Sequence, residues 1–245
     1  MKAWLQRVLD AGRGLPEELE GYLLGRALRE DLIRELGAAV WTLPGTPAPD
    51  PEFRERYGDQ GQVLRDRVVF PFYSPRGELL GIEVRTWRWN EEKRITDYRL
   101  PEAHWNPVFI GLTPTTMQRL WKGGNAWVVE GVYDLSALER VTPQTDAVLA
   151  TVKAGMSRSH VEFFRRHIRD SQVVNVVYDR DETGRKQTHG WVDDTTGKKR
   201  WGALSLLDGV GVKCRDVPYA GGKDPGEVWD HGGKAGLQQA FERFL

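Results

Sequence analysis

Ala126-Trp127-Val128-Val129-Glu130-Gly131-Val132-Tyr133-Asp134-Leu135 runs from four apolar residues into an acid and a glycine, then into a helical pattern reaching Leu138. Val173-Val174-Asn175-Val176-Val177-Tyr178-Asp179-Arg180-Asp181 has the same shape, a short apolar run stopped by an acid. Residues 147–152 form another such run, and residues 210–217 a fourth, ended by Pro218. Between them Ser159-x-x-Glu162 matches a capping box and predicts a helix whose face carries Val161, Phe164 and Ile168. Short, continuously apolar strands alternating with helices predict a parallel sheet covered on both faces.

Open sheets of this kind bind ligands beyond the carboxyl ends of their strands, where the strand order reverses. Acids stand at those ends here. Glu130 closes the first strand, Asp134 lies in the first turn of the next helix, and Asp179 and Asp181 close the third strand. Asp224, before Pro225, lies in the loop after the fourth. Residues two apart in extended chain point to the same side, so Asp179 and Asp181 can address one ion together. Converging carboxylates repel one another unless a cation neutralises them, and an all-oxygen ligand set favours magnesium or manganese over zinc.

Upstream the pattern differs. Residues 17–36 carry Leu19, Tyr22 and Leu23, then Leu32, Ile33 and Leu36, at helical spacing, with Gly37 as a stop. Residues 42–51 hold four prolines and read as a loop. Residues 67–73 and 79–89 flank Ser74-Pro75-Arg76-Gly77 and predict a hairpin. From 63 to 99, eight basic residues face six acidic ones, so charge alone does not mark a binding groove. In an extended strand Arg85, Trp87 and Trp89 share a face. That suits stacking on single-stranded bases, or packing against a neighbouring part of the chain. Residues 188–202 fit neither half and read as a surface hairpin turning at Asp194-Thr195-Thr196-Gly197. The boundary falls near Lys122-Gly123-Gly124, giving an N-terminal mixed α/β subdomain over 1–122, a catalytic domain over 123–230 and a helical tail over 231–245.

Composition excludes several classes. The 245 residues are 40% hydrophobic and 29% charged, with 35 basic and 35 acidic side chains, a soluble profile without the basic excess of many nucleic-acid binders. A lone cysteine, Cys214, rules out a disulfide framework and a paired-cysteine zinc site. No apolar run is long enough to span a membrane and the first residues lack a signal-peptide core, so a cytoplasmic protein with no membrane partner is expected. Neither Gly197-Lys198 nor Gly222-Lys223 is followed by Ser or Thr, so there is no P-loop, and no His-Glu-x-x-His or Gly-x-Ser-x-Gly occurs. His160 and His167 read as surface residues.

The segments around Glu130 to Leu135, Tyr178 to Gly184 and Gly222-Lys223-Asp224-Pro225 resemble the TOPRIM signature of primases, topoisomerases and some nucleases. Residues 22–36 resemble the helical entry of the RNA-polymerase domain of DnaG-type primases. Arg65-Asp66-Arg67-Val68-Val69-Phe70-Pro71-Phe72 is similar to that family's basic strand pair, and Asp97-Tyr98-Arg99-Leu100-Pro101 to a segment that follows it. The resemblance covers roughly residues 20–235. It implies an α/β fold, a TOPRIM domain (a parallel Rossmann-like sheet flanked by helices) preceded by a smaller mixed α+β subdomain.

The resemblance further implies synthesis of short RNA primers on a single-stranded DNA template from ribonucleoside triphosphates. Glu130, Asp134, Asp179 and Asp181 would be catalytic, and Glu130, Asp179, Asp181 and Asp224 would hold Mg2+ or Mn2+. Arg65, Arg67, Arg85 and Lys223 would contact nucleic acid or nucleotide. Two-metal transfer would have one ion activate the 3′-hydroxyl and the other stabilise the leaving pyrophosphate. The chain departs from the family pattern at Arg180, where glycine is usual, at Gly226, where a further aspartate is usual and Glu227 could substitute, and in the insertion at 188–202. With no zinc site in this chain, template selection and coupling to a replicative helicase are expected from a separate zinc-binding module or another protein, or to be absent. The small size suggests a phage or mobile element. A TOPRIM-type nuclease and a non-catalytic TOPRIM nucleic-acid-binding module are the alternatives.

Overall fold

Ser74-Pro75-Arg76-Gly77 does turn the chain. Gly77, at φ +80°, donates its N–H to the Ser74 carbonyl (2.9 Å), while the Ser74 hydroxyl accepts from the N–H groups of Arg76 and Glu78. The left-handed φ suits glycine, which has no Cβ to clash. The computed structural model describes residues 1–11, 16–37, 39–40, 48, 50–57, 67–87, 95–152 and 155–245. These form two compact units, one of Met1–Gly25 with Arg29–Asn106, the other of Arg26–Leu28 with Pro107–Leu245.

In the first unit an antiparallel sheet runs in the order β1 (Ala39–Val40), β2 (Val68–Tyr73), β3 (Leu79–Arg85), β4 (Ile95–Arg99). Helices α1 (Lys2–Ala11), α2 (Glu17–Gly25), α3 (Glu30–Leu36) and α4 (Pro51–Tyr57) accompany it, and a 3-10 turn at Pro101–His104 follows it. Trp4, Leu5, Val8 and Leu9 of α1 and Phe53 of α4 form a core with Val69, Ile82, Val84 and Tyr98. The expected stop at Gly37 is a left-handed cap at φ +68°, donating to the Arg34 carbonyl. Of the proline-rich loop only residues 48, 50 and 51 are described, and Pro51 opens α4.

The second unit carries a parallel sheet in the order β10 (Cys214–Asp216), β7 (Val174–Val176), β5 (Ala126–Val129), β6 (Ala147–Ala150). From β5 the chain crosses outward to β6, then returns to the other side of β5 as β7, so the order reverses between β5 and β7. Helices α5 (Pro114–Trp121), α7 (Arg158–His167) and α9 (Ala203–Asp208) bury Met117, Leu120, Phe163, Phe164 and Leu207 against Ala126, Val128, Leu149 and Val174. Helices α6 (Val132–Leu138) and α10 (Pro225–Phe241) pack with each other, and α6 packs on β5 and β6. The parallel sheet flanked by helices is therefore as expected. Helix α8 (Glu182–His189) leads into the hairpin β8 (Gly190–Val192) and β9 (Lys199–Trp201), also as expected.

Some details differ from the sequence reading. The last strand occupies only 214–216, because Val210 and Gly211 close the turn after α9 through bonds to the Leu207 and Asp208 carbonyls. Helix α7 starts at Arg158 with Ser157 as its cap. The Ser157 hydroxyl accepts from the His160 N–H, and His160 Nδ1 accepts from the Ser157 N–H, so histidine replaces glutamate in the box. His160 is accordingly not a surface residue. It is buried against Phe109, with Nε2 2.9 Å from the Val108 carbonyl, and the neutral Nε2–H tautomer satisfies both nitrogens.

Candidate metal and nucleotide site

Glu130 follows directly on β5 and Asp179 lies three residues past β7, so both stand at the carboxyl ends of adjacent strands flanking the reversal. They touch: the Asp179 N–H donates to Glu130 Oε1 (3.3 Å). Each carboxyl is held far above its ordinary range. Burial is the first cause for Glu130, followed by the charges of Asp134, Asp181 and Asp224, and together they push it to about 7. Burial again leads for Asp179, with Glu130 and Asp224 next, also to about 7, while Lys223 pulls the other way. Glu130 thus feels the charges of Asp134, Asp181 and Asp224, and Asp179 those of Glu130, Asp224 and Asp181, the property expected of a cation site. Among the described residues, no group of three His, Cys, Asp or Glu side chains is already drawn in to metal-ligand spacing.

The other acids also hold helix ends. Asp181 caps α8, its Oδ1 accepting from the Gly184 N–H (2.8 Å). Gly184 is required there, because a Cβ would lie 2.0 Å from the Asp179 carbonyl oxygen. Asp134 accepts from the Gly131 N–H (3.2 Å) at the start of α6 and from the Gly226 N–H (3.1 Å) at the start of α10. One carboxylate thereby ties two helix N-termini, where negative charge is favoured. Asp224 caps α10 through the Glu227 N–H (2.7 Å), and Glu227 folds back to accept from the Lys223 N–H (2.6 Å). Glu227 is thus committed to the cap. A Cβ at Gly226 would stand 3.3 Å from carboxylate oxygens of both Asp134 and Asp224, so this turn leaves little room for a longer side chain.

Arg180, standing between the two aspartates, does not face them. Alternation along the extended chain sends it the other way, where its guanidinium meets Asp216 (3.2 Å) and lies 4.8 Å over the Tyr219 ring. Its backbone N–H donates to the Lys223 carbonyl (2.6 Å), and the Tyr219 hydroxyl donates to the same carbonyl (2.9 Å). Sequence reading missed Tyr219. Burial first, then Asp134 and Asp179, push its hydroxyl well above the ordinary value, and it braces the loop that carries Lys223 and Asp224. It also missed Arg26, which stacks over Tyr133 (4.8 Å) and pairs with Asp230. Tyr219 lies in no recognisable motif, and Arg26, although within the helical segment 22–36, is not marked there by its residue type or spacing.

Of the expected basic residues, Lys223 lies beside the acids, its Nζ 3.4 Å from Asp224 Oδ2 and otherwise exposed. Asp224 chiefly, with Asp179, raises its pKa. Arg67 and Arg85 belong to the first unit. Arg85 is mostly buried and pairs with the fully buried Glu83. Arg65 lies outside the described residues, as does Trp89. Trp87 is buried beside Tyr22, with ring centroids 6.3 Å apart, so of the two readings of the tryptophans packing holds for this one.

No protein-family profile matches the chain, and no curated protein matches its sequence. Solved structures do. A zinc-binding and RNA-polymerase-domain structure of the Aquifex aeolicus primase superposes with a TM-score of 0.68 at 20% identity, over 99% of this chain and 60% of that one. The chain has the fold of a DnaG-type primase core. The RNA-polymerase domain of Mycobacterium tuberculosis primase DnaG gives 0.66 at 19% identity, over 98% of this chain and 82% of that one. A DnaG primase catalytic domain bound to single-stranded DNA gives 0.63 at 19%, over 98% and 81%. The chain therefore spans about three fifths of the Aquifex structure, which includes a zinc-binding domain. Among the described residues no helix is long and apolar enough to cross a membrane.

Proposed function

We propose that this chain is the catalytic core of a DNA primase, joining ribonucleotides on a single-stranded DNA template. The observation that carries the reading is the contact of Glu130 with Asp179 at the strand-order reversal, within a chain that follows the DnaG core fold over 98–99% of its length. The second unit would be a TOPRIM domain. The donor set fits a hard divalent cation, because it consists of carboxylates, two of them forced to about 7 by burial and mutual repulsion. Glu130, Asp179 and Asp181 would hold Mg2+ or Mn2+, with Asp224 in support. When bound, the metal supplies charge neutralisation at the phosphoryl group and a more acidic attacking hydroxyl.

The chain's own residues contribute position. Asp134 ties the α6 and α10 N-termini together beside Glu130. Lys223, exposed at the rim, is placed for the phosphates of an incoming ribonucleoside triphosphate. Arg67, with Arg65, is the candidate for template contact, since Arg85 is held by the buried Glu83. No feature of the site favours a nuclease or a non-catalytic module. A replicative helicase or a separate zinc-binding template reader remains a proposed partner. The test is incubation with single-stranded DNA, labelled ribonucleotides and Mg2+ or Mn2+. Short RNA products are expected, lost in Asp179→Asn without a change in folded structure. Cleavage of the DNA with no primer on any template would refute the reading.

A further inference from the structure

The hairpin β8–β9 takes no part in the acid site, yet it is built as an ordered element. Asp193 Oδ1 accepts from the N–H groups of Thr195 (3.1 Å) and Thr196 (3.0 Å), and Gly197 turns at φ +64°. Arg200 braces the same aspartate at 3.3 Å. At the base, Gly190 and Gly202 let the two strands meet backbone to backbone. A Cβ on Gly202 would lie 2.3 Å from the Gly190 nitrogen.

What the hairpin presents is an exposed aromatic among cations. Trp201 is 57% exposed, and the Lys199 ammonium sits 4.2 Å from its ring centroid. Val192, paired with Lys199 across the strands, is 59% exposed, and Lys198 is exposed at the tip. In a chain of zero net charge, Lys198 and Lys199 are a local basic pair, with Arg200 held by Asp193. An exposed indole with an ammonium group against it, and Lys198 at the adjoining turn, is chemistry that stacks on a base and holds adjoining phosphates.

We propose that this hairpin is a second contact surface for single-stranded nucleic acid, with Trp201 stacking on a base and Lys198 and Lys199 on the flanking phosphates. Helix α8 links Asp181 to the hairpin in eight residues, about 12 Å of axis, or about three to four stacked nucleotides at ~3.4 Å each. A strand worked on at the acids therefore reaches the hairpin within a few nucleotides. That placement rests on the nucleotidyl-transfer reading, whereas binding by the hairpin does not.

The test uses the full chain in EDTA and a fluorescein-labelled oligothymidylate, read by anisotropy across a salt series. Trp201→Ala is expected to weaken binding about tenfold, the scale of one base–aromatic stack, and Trp201→Phe to keep most of it. Lys198→Ala with Lys199→Ala is expected to flatten the log–log salt dependence by about 1.4, or ~0.7 for each phosphate that is no longer neutralised. Thermal unfolding of each variant verifies an intact fold. Binding unchanged in both sets of variants overturns the inference even if the protein makes primers, and so does tighter binding of duplex than of single strand. Hairpin-dependent binding without primer synthesis sustains the inference while removing the nucleotidyl-transfer reading.

Discussion

Glu130→Gln is expected to stabilise the metal-free protein at alkaline pH while destroying its metal response. In the folded chain Glu130 titrates at about 7 instead of the ordinary 4.5, through burial first and then its acidic neighbours. Between those values the folded protein keeps the proton that the unfolded chain releases. For a carboxyl shifted upward, stability is therefore fully present below pH 4.5 and is lost as pH rises through 7. At ~1.4 kcal/mol per pH unit the window corresponds to about 3 kcal/mol, and partial exposure of the carboxylate reduces this to about 1–2 kcal/mol. Glutamine cannot ionise, yet it retains an oxygen for the Asp179 N–H. For a chain of this length the gain is about 2–8 °C in Tm. Calorimetry in EDTA at pH 5 and pH 8 should show variant and wild type close at pH 5 and the variant higher at pH 8. Added Mg2+ or Mn2+ should then raise the wild type and leave the variant nearly unmoved. A variant less stable than wild type at pH 8, or a wild type indifferent to metal, would refute the reasoning.

Asp134→Ala removes the partner of two helix N-termini and should cost about 2 kcal/mol, measured by urea unfolding at pH 5, where relief of repulsion at Glu130 contributes least. Gly184→Ala forces a Cβ onto the Asp179 carbonyl and should lose more than about 2 kcal/mol, together with primer synthesis, read by unfolding and by product gels. Arg180→Ala breaks the pair with Asp216 and the stack on Tyr219. It should cost about 1–2 kcal/mol in urea unfolding but change primer synthesis less than about threefold, because the side chain faces away from the acids.

The local chemistry of strand ends was legible in the sequence. Runs such as 126–129 and 173–178 are too short and too uniformly apolar for amphipathic helices, and each stops at an acid, so strand ends and candidate ligands are visible together. The turn at Ser74 to Gly77 and the hairpin turning at Gly197 were visible too, since each needs particular residues at fixed offsets. The limits of α7 were not, because a histidine completes its cap and two serines within three residues offer alternative starts.

By itself the sequence marked the candidate cation ligands: Glu130, Asp179 and Asp181 at strand ends, with Asp134 and Asp224 in the turns that follow. Only the tertiary structure decided their division of labour. Strand order is a long-range property, and it is the return of β7 alongside β5 that sets Asp179 against Glu130 and raises both to about 7. Packing of α10 beside α6 likewise turns Asp134 into a clamp across 92 residues, and the capping of α10 commits Glu227 to its own helix. Carboxylates are all alike in sequence. Burial, and which backbone N–H groups lie within reach, make two of them a repelling pair and the others helix caps.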